Sequence, residues 1–307
     1  MEAAFEPTSK ALNYWVVWFL SVSLGIFGSI RTDYPLVSKD TFFAITDHFV
    51  DISIPLFDPL KVKRGDIVFI DSPCLQDFFR NHLPKIQSKF ILVTGNGCRS
   101  IDKRYLPFLE NPYLVAWFGM NMTLIHPKTE IIPVGIPNSR FPNHPDIVKK
   151  GEILKKILED LSIDLFFKTK PIHTCLNTVL CSHCSRTAIQ KYFATQSYCH
   201  VASSKPFLEY IEDIKNSRFV ISPRGGNIDC YRTWEALYSG SIPVVESRGI
   251  DEVYKDLPVI IVDDLTSLTQ MVLDDAFEHL KTKQFNLNKL HADYWLDKIK
   301  EAQNLCF

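Results

Sequence analysis

The residues best suited to chemistry in this chain lie in one segment, residues 219–245, which read FVISPRGGNIDCYRTWEALYSGSIPVV. An apolar run enters a turn with two glycines, and a predicted helix follows and ends at Gly240. Backbone N–H groups approach an anion closely at glycines, and the positive end of a helix dipole favours negative charge. The spacing therefore predicts a site for a phosphorylated ligand.

Charged side chains around this turn supply the contacts that such a ligand needs. Arg224 and Arg232 can form charge-assisted hydrogen bonds with phosphate oxygens. Glu235 can accept hydrogen bonds from ribose hydroxyls, because an ionised carboxylate offers only acceptors. Asp229 is the expected N-cap of the helix. The predicted donor-binding set is Arg224, Gly225, Gly226, Asn227, Asp229, Arg232 and Glu235.

A purely structural interpretation also fits this spacing. A glycine turn often caps a surface helix, and Arg232 and Glu235 are spaced to form an intrahelical pair. At about 100° per residue, polar side chains share one arc of the helix and apolar ones share the opposite face. The polar arc contains Asp229, Arg232, Glu235, Ala236 and Ser239, and the apolar face contains Cys230, Tyr231, Trp234, Leu237 and Tyr238.

The segment resembles the signature of exostosin-like glycosyltransferases of the family 47 type. In that signature a strand and a Pro-x-Gly turn lead into Arg-x-Trp-Glu-Ala-Leu, followed by Gly-x-Ile-Pro-Val. This chain carries the pattern from Pro223 to Val244, and a weaker likeness extends upstream through 66–73, 89–97 and 130–142. The resemblance implies a two-domain GT-B fold that holds a nucleotide-sugar mainly in its C-terminal domain.

Short apolar runs alternate with helical patterns along the rest of the chain. They predict an α/β fold, GT-B-like, with two doubly wound Rossmann-like domains that face each other across a cleft. A helix is predicted over 149–161, and the tail beyond 266 is predicted to be helical. The predicted strands are 42–46, 67–71, 90–94, 114–118, 130–135, 172–178, 199–203, 218–222, 242–246 and 258–262.

The 307 residues suit two domains of ordinary size. We predict an acceptor-side domain at 32–148 and a nucleotide-sugar-binding domain at 149–285. Residues 286–307 are expected to form a C-terminal helix that packs back on the first domain. Residues 1–31 form a separate apolar segment.

Residues 11–30 carry no charge, and twenty such residues span a hydrocarbon core of about 30 Å as a helix. They predict a signal-anchor and a single-pass protein, lumenal in the ER or Golgi of a eukaryote or in the envelope of a bacterium. A cleaved signal peptide is one alternative. The other is a buried part of the first domain, which would leave the protein cytoplasmic.

The composition and motifs argue against a nucleic-acid partner and against a metal cofactor. The formal net charge of −1 supplies no basic surface for nucleic acid. No Asp-x-Asp triplet occurs, so the chain lacks the oxygen-ligand motif common in metal-dependent transferases, and no metal cofactor is expected.

The cysteines and one sequon give weaker signals. Eight cysteines form no repeated framework, so no disulfide pairing is predicted. A possible zinc site is indicated by the cluster His173, Cys175, Cys181, His183 and Cys184. A second ligand pair at finger-like spacing is missing, however, so buried or loop thiols are expected instead. Asn121-Met122-Thr123 matches a glycosylation sequon, and because it closely follows an apolar strand we interpret it as a chance match.

The catalytic base is the least evident part of the site. The resemblance implies inversion at the anomeric carbon, which calls for a base opposite the leaving group. Asp71, at the end of a predicted strand, is our candidate, and its alternative role is to cap a helix that begins near Pro73. Relatives often carry Asn-Ser-Asp where this chain has Asn96-Gly97-Cys98, so an acidic position is missing. Asn96 is expected to orient an acceptor hydroxyl.

The sequence predicts a hexosyl- or pentosyltransferase that moves a sugar from a UDP-linked donor to a glycan or glycoconjugate acceptor. One alternative is a non-catalytic nucleotide-sugar or glycan binder that has lost its base. Another is a GT-B enzyme that modifies a nucleotide-sugar, such as an epimerase.

Overall fold

The computed structural model describes residues 33–50, 57–95, 97–137, 145–177 and 186–307. These residues form an α/β structure with two parallel five-stranded sheets, one in each half of the chain. Two Rossmann-like sheets flanked by helices are the units that a GT-B-like protein pairs across a cleft. The predicted α/β fold with a parallel sheet in each half is therefore confirmed, and it is the second sheet whose strand order is that of a doubly wound sheet.

The first sheet has its strands in chain order, and each strand is parallel to its neighbours. Its second and third strands are buried at every position. Such continuous apolar runs are typical of parallel strands covered on both faces. The strands are β1 (His48–Val50), β2 (Ile67–Asp71), β3 (Phe90–Gly95), β4 (Leu114–Gly119) and β5 (Thr129–Ile131).

The second sheet comprises β6 (Ile172–Asn177), β7 (Cys199–Ala202), β8 (Ser217–Ile221), β9 (Ile242–Glu246) and β10 (Ile260–Val262). Its spatial order is β10-β9-β8-β6-β7. The chain runs outward from β6 to β7 and then returns to the other side of β6 as β8. This reversal creates a switch point, and ligands of such sheets bind beyond the carboxyl ends of the strands there.

Nine α-helices are seen in the described part of the chain. Among them, α7 joins β8 to β9 and packs against α3 and α6. The helices are α1 (Lys39–Phe43), α2 (Leu75–Asp77), α3 (Pro145–Glu159), α4 (Ile163–Phe167), α5 (Arg186–Ala194), α6 (Phe207–Lys215), α7 (Tyr231–Tyr238), α8 (Gln270–Lys281) and α9 (Ala292–Asn304).

The strand predicted at 42–46 is wrong. Residues 39–43 form α1, because Ser38 and Thr41 build a capping box in which each side chain accepts a hydrogen bond from the other residue's backbone N–H. Two satisfied backbone donors fix the first helical turn and outweigh the β preference of the phenylalanines. The first strand comes later, at β1. The other predicted strands coincide with observed ones to within a few residues at their ends.

The ends of α7 differ in how well they were predicted. Its N-cap is Cys230, without a side-chain hydrogen bond, and not Asp229. Its C-terminal end falls as expected at Gly240, which has a φ of +66°. Glycine adopts this left-handed conformation without the steric cost that other residues pay, and it terminates helices for that reason.

The two halves of the chain are joined by specific hydrogen bonds. The Tyr238 hydroxyl, on α7, accepts from Val37 N at 2.9 Å and donates to Leu290 O at 3.0 Å. The last helix, α9, lies against β3 and β4 of the first sheet, where Lys298 forms an ion pair with Glu130. The domain boundaries drawn from the sequence stay predictions.

None of the helices in the described ranges has the length and apolar character that a membrane span requires. Residues 11–30, where the sequence predicts an anchor, lie outside those ranges. The anchor therefore also stays a prediction.

We expect Tyr238→Phe to lower the free energy of unfolding by about 1–3 kcal/mol, because it leaves the buried Val37 N–H without an acceptor. Urea unfolding followed by circular dichroism measures the change. Tyr113→Phe, at a partly exposed tyrosine, is the control and should stay within about 0.5 kcal/mol of the wild type. Equal stability of Tyr238→Phe and the wild type would show that this hydroxyl does not join the halves.

Candidate functional site

A cavity of about 740 Å³ lies at the switch point of the second sheet. Its wall comes from the loops that follow β7 and β8, from the first residue of α5, and from one side each of α3, α6 and α7. This volume is within the range of small-molecule sites in proteins. The predicted donor-binding residues Gly225, Gly226, Asn227, Asp229, Arg232 and Glu235 all contribute to the wall.

The double-glycine bend at residues 223–230, here called the donor turn, is partly exposed to this cavity. Gly225 N donates to Asn227 O at 3.1 Å, which closes the bend. Neither Gly225 nor Gly226 has a positive φ. A Cβ on Gly226 would lie 2.7 Å from the Cys98 sulfur, so a larger residue at this position would have to displace that side chain.

Arg186, the first residue of α5, holds the donor turn from one side. Its Nε donates to Arg224 O at 2.8 Å and its Nη2 donates to Pro223 O at 2.9 Å. It also lines the cavity. Arg186 was not predicted as a site residue from the sequence, because it lies far upstream of the motif. One signal could have indicated it, because Arg186 begins the helix that follows β6 and this helix starts beside the switch point of the sheet.

Arg232 is a buried cation in the cavity wall. Its side chain is 7% exposed, and its Nε has no hydrogen-bond partner among the described residues. No carboxylate in the described ranges lies close enough to form an ion pair with it. Its charge interacts with the nearby Glu235 carboxyl and Tyr210 hydroxyl. The unpartnered Nε still leaves the guanidinium able to bind an anionic ligand.

Glu235, one turn further along α7, is equally buried and is oriented by Tyr210 of α6. The Tyr210 hydroxyl donates to Glu235 Oε2 at 2.7 Å. Burial raises the pKa of the Glu235 carboxyl, and the hydrogen bond from Tyr210 and the charge of Arg232 oppose the rise. Burial also raises the pKa of Tyr210 well above its usual value, so at neutral pH Tyr210 is a hydroxyl donor.

Further cations surround the opening of the cavity. Lys149 and Lys150 come from α3, and Lys205 comes from the loop after β7. Lys205 forms an ion pair with Asp213 at 2.5 Å, whereas the Lys150 Nζ lies 4.8 Å from the centre of the Phe207 ring. Because cations outnumber carboxylates here, the cavity attracts a ligand with several negative charges.

Asp229 contributes to the wall, but both of its oxygens are engaged by protein donors. Oδ2 accepts from Val134 N at 2.7 Å, and Oδ1 accepts from Cys230 N and the Tyr254 hydroxyl at 2.8 Å each. Trp234 Nε1 lies within 3.0 Å of both oxygens. The carboxylate is fully buried, and burial raises its pKa while these hydrogen bonds oppose the rise. Its geometry suits a structural hub and not a ligand contact.

The other predicted site residues lie away from the cavity or outside the described ranges. Arg224 is partly buried, and its side chain is not part of the cavity wall. Asp71 ends β2 as expected, but it forms an ion pair with Lys39 at 3.0 Å and does not reach the cavity. It also makes no side-chain cap to the turn that follows. Asn96 is not described.

Within the described ranges, no group of His, Cys, Asp and Glu side chains is arranged to hold a metal ion. Of the cysteine and histidine cluster noted in the sequence, His173 and Cys175 lie in β6. Cys181, His183 and Cys184 fall outside the described ranges.

Comparison with known proteins supports a class of enzyme. Residues 173–286 match the family model of the RXYLT1 C-terminal domain, and this stretch contains the donor turn and most of the cavity wall. No curated protein is similar enough to match. The match supports glycosyltransferase activity in general, without a particular donor or acceptor.

Among solved structures, the chain is similar to one described as the crystal structure of the GtfA/B complex. The two share 10% sequence identity with a TM-score of 0.40, over 80% of this chain and 58% of that one. The chain thus spans less than two thirds of the length of that structure's chain.

We expect Asp229→Asn to lower the free energy of unfolding by about 1–3 kcal/mol. The amide nitrogen would face donors already aimed at the carboxylate, so at least one of them would lose its acceptor. Chemical denaturation measures the effect. Asp264→Asn, at an exposed cap that an asparagine also satisfies, is the matched control. Identical stabilities for the two variants would contradict the hub role of Asp229.

Proposed function

We propose that the protein is an inverting glycosyltransferase that takes a hexosyl or pentosyl group from a UDP-sugar and passes it to a glycan or glycoconjugate acceptor. The observation that supports this most is the buried Arg232 guanidinium, which forms no ion pair with the described residues and lies in a cavity at the switch point. The match to the RXYLT1 C-terminal domain over 173–286 agrees with it.

In this proposal the diphosphate of the donor lies between the donor turn and α7. Arg232 binds its oxygens, with Arg186 close by on the other side of the turn. Among the described residues, no hydrogen bond engages the N–H groups of Gly226 and Asn227, so both can donate to an anion. As the glycosidic bond breaks, negative charge grows on the leaving phosphate, and these fixed donors stabilise it.

The nucleoside part is placed further along the same wall. Glu235, oriented by the Tyr210 hydroxyl, accepts hydrogen bonds from ribose hydroxyls in the proposed complex. Phe207 and Leu208, at the rim of the cavity, offer apolar surface against which a base can pack. Because protein cations supply the positive charge, the proposed reaction uses no metal ion. An anchor over residues 11–30 belongs to the proposal as well.

A second function, a nucleotide-sugar binder without turnover, is favoured by one observation. Of the described residues that line the cavity, the only carboxylates are Asp229 and Glu235, and no histidine lines it. Asp229 is saturated by protein donors and Glu235 is assigned to the ribose. Asp71 is paired with Lys39. The acceptor-side base of the transferase would therefore come from residues outside the described ranges or from a rearrangement.

We expect Arg232→Lys to weaken UDP binding by about 10–100-fold, because a charge-assisted hydrogen bond contributes about 1.5–3 kcal/mol and each 1.4 kcal/mol is tenfold. Isothermal titration calorimetry with UDP measures this. Lys149→Ala is a milder variant at an exposed cavity lysine and should lose several-fold. Lys156→Ala, at an exposed lysine elsewhere on α3, is the matched control and should bind as the wild type does. Unchanged affinity for UDP in Arg232→Lys would show that the guanidinium does not contribute to UDP binding.

Release of UDP from UDP-sugars separates the two functions. For the transferase we expect the wild type to release UDP from at least one UDP-sugar in the presence of glycan acceptors. Glu235→Ala should abolish release while the protein stays folded. UDP-linked donors should also raise the melting temperature, because a ligand that binds only the native state stabilises it, whereas NAD should not. Tight UDP binding with no release for any acceptor would identify a binder, and stabilisation by NAD instead of UDP would overturn both functions.

A further inference from the structure

The side chain of Asn121 connects the two halves of the chain at the edge of the cavity. It follows β4 of the first sheet and is only 1% exposed. Its Oδ1 accepts from Ile228 N at 2.9 Å and from Asp229 N at 3.4 Å, both in the donor turn. Its Nδ2 donates to Gly97 O at 3.0 Å, in the loop that follows β3. One amide thus links a loop of the first half to the donor turn of the second.

The backbone of Asn121 narrows the choice of residue at this position. Its φ of +55° lies in the left-handed region, which asparagine, aspartate and glycine enter more readily than other residues. Glycine lacks a side chain, and an ionised aspartate has no donor for Gly97 O. Only asparagine satisfies the backbone, the two turn amides and the loop carbonyl together. The strain is consistent with a position fixed by its surroundings.

These hydrogen bonds also determine whether the sequon at Asn121 is accessible to glycosylation. The acceptor of N-glycosylation is the amide nitrogen, and in this structure that nitrogen is buried and donates to Gly97 O. The Asn121 side chain of the Asn121-Met122-Thr123 sequon is therefore inaccessible to modification in the folded protein. This agrees with our interpretation of the sequon as a chance match.

Two further contacts hold the donor turn from the first half. Val134 N donates to Asp229 Oδ2 at 2.7 Å, and the Cys98 sulfur lies beside Gly226, 2.7 Å from the position that a Cβ there would take. The turn amides at 228 and 229 are consumed by Asn121, and Cys230 N is consumed by Asp229. Among the described residues, the N–H groups of the turn that stay without a hydrogen bond are those of Arg224, Gly226 and Asn227.

We propose that Asn121 is a positioning residue for the donor. It acts through the amides of Ile228 and Asp229, fixes the turn so that the N–H groups of Gly226 and Asn227 stay free for an anion, and ties that turn to the loop at Gly97. The ligand in this inference rests on the proposed function, whereas the ordering of the turn does not. A preorganised turn binds more tightly because less conformational freedom is lost on binding.

Two variants separate the side chain from the backbone. Asn121→Gly keeps the left-handed backbone without strain and removes all three hydrogen bonds. Asn121→Asp keeps an acceptor for the two turn amides, loses the bond to Gly97 O and adds a buried negative charge. Ser241→Ala removes a buried hydroxyl that donates to Ile214 O and Ser217 O. It lies at the other end of α7, so it controls for a general loss of stability.

Hydrogen exchange followed by mass spectrometry tests the ordering of the turn in the ligand-free protein. In Asn121→Gly, amides of a peptide that covers 224–230 should exchange about tenfold faster or more, because Ile228 and Asp229 N–H lose their acceptor. Asn121→Asp and Ser241→Ala should exchange as the wild type does. Unchanged exchange in Asn121→Gly, or equally fast exchange in Ser241→Ala, would overturn the proposal.

UDP titration well below the melting temperature tests the consequence for binding. Asn121→Gly should weaken UDP binding about tenfold, and Ser241→Ala should stay within about threefold of the wild type. Wild-type affinity in Asn121→Gly, or an equal loss in Ser241→Ala, overturns the positioning role. No binding of UDP by the wild type overturns the proposed function instead, and the exchange result then decides the role of Asn121 by itself.

Discussion

The burial of the Asp229 carboxylate is the constraint on which the rest of the site depends. Four donors from three segments converge on it, namely the amides of Val134 and Cys230, the Trp234 indole and the Tyr254 hydroxyl. Such a charge is tolerated in the interior only when its acceptors are fully used. Because Val134 belongs to the first half and the other three donors to the second, the same carboxylate closes the donor turn and fixes its place against the opposite half.

The cavity that results carries an imbalance of charge. The carboxylate nearest the turn is saturated, and the carboxyl of Glu235 is occupied by Tyr210 and has a raised pKa. Arg232 is left as a buried cation without an ion pair among the described residues, and lysines of α3 face the same space. Fixed positive charge in a partly desolvated wall suits a ligand with adjacent phosphates, and in the proposed reaction it would stabilise the negative charge that develops on the leaving phosphate.

The sequence predicted much of this because the relevant signals are local. The β8–turn–α7–β9 segment, its glycines and the placement of Arg232 and Glu235 follow from spacing and from the resemblance, and the structure puts them around one cavity. What it missed depends on distant contacts. Arg186 and Tyr210 reach the site through the sheet topology, and Asp229 is turned inward by donors from elsewhere in the chain. The failure at α1 has a different cause, because a capping box overrode strand-like composition.

The most direct test is a crystal structure of the protein with bound UDP. We expect phosphate oxygens to lie within about 3 Å of the Arg232 guanidinium and of the Gly226 or Asn227 amide, while Asp229 keeps its four protein donors. A nucleotide bound elsewhere, or bound with its phosphates turned away from Arg232, would contradict it.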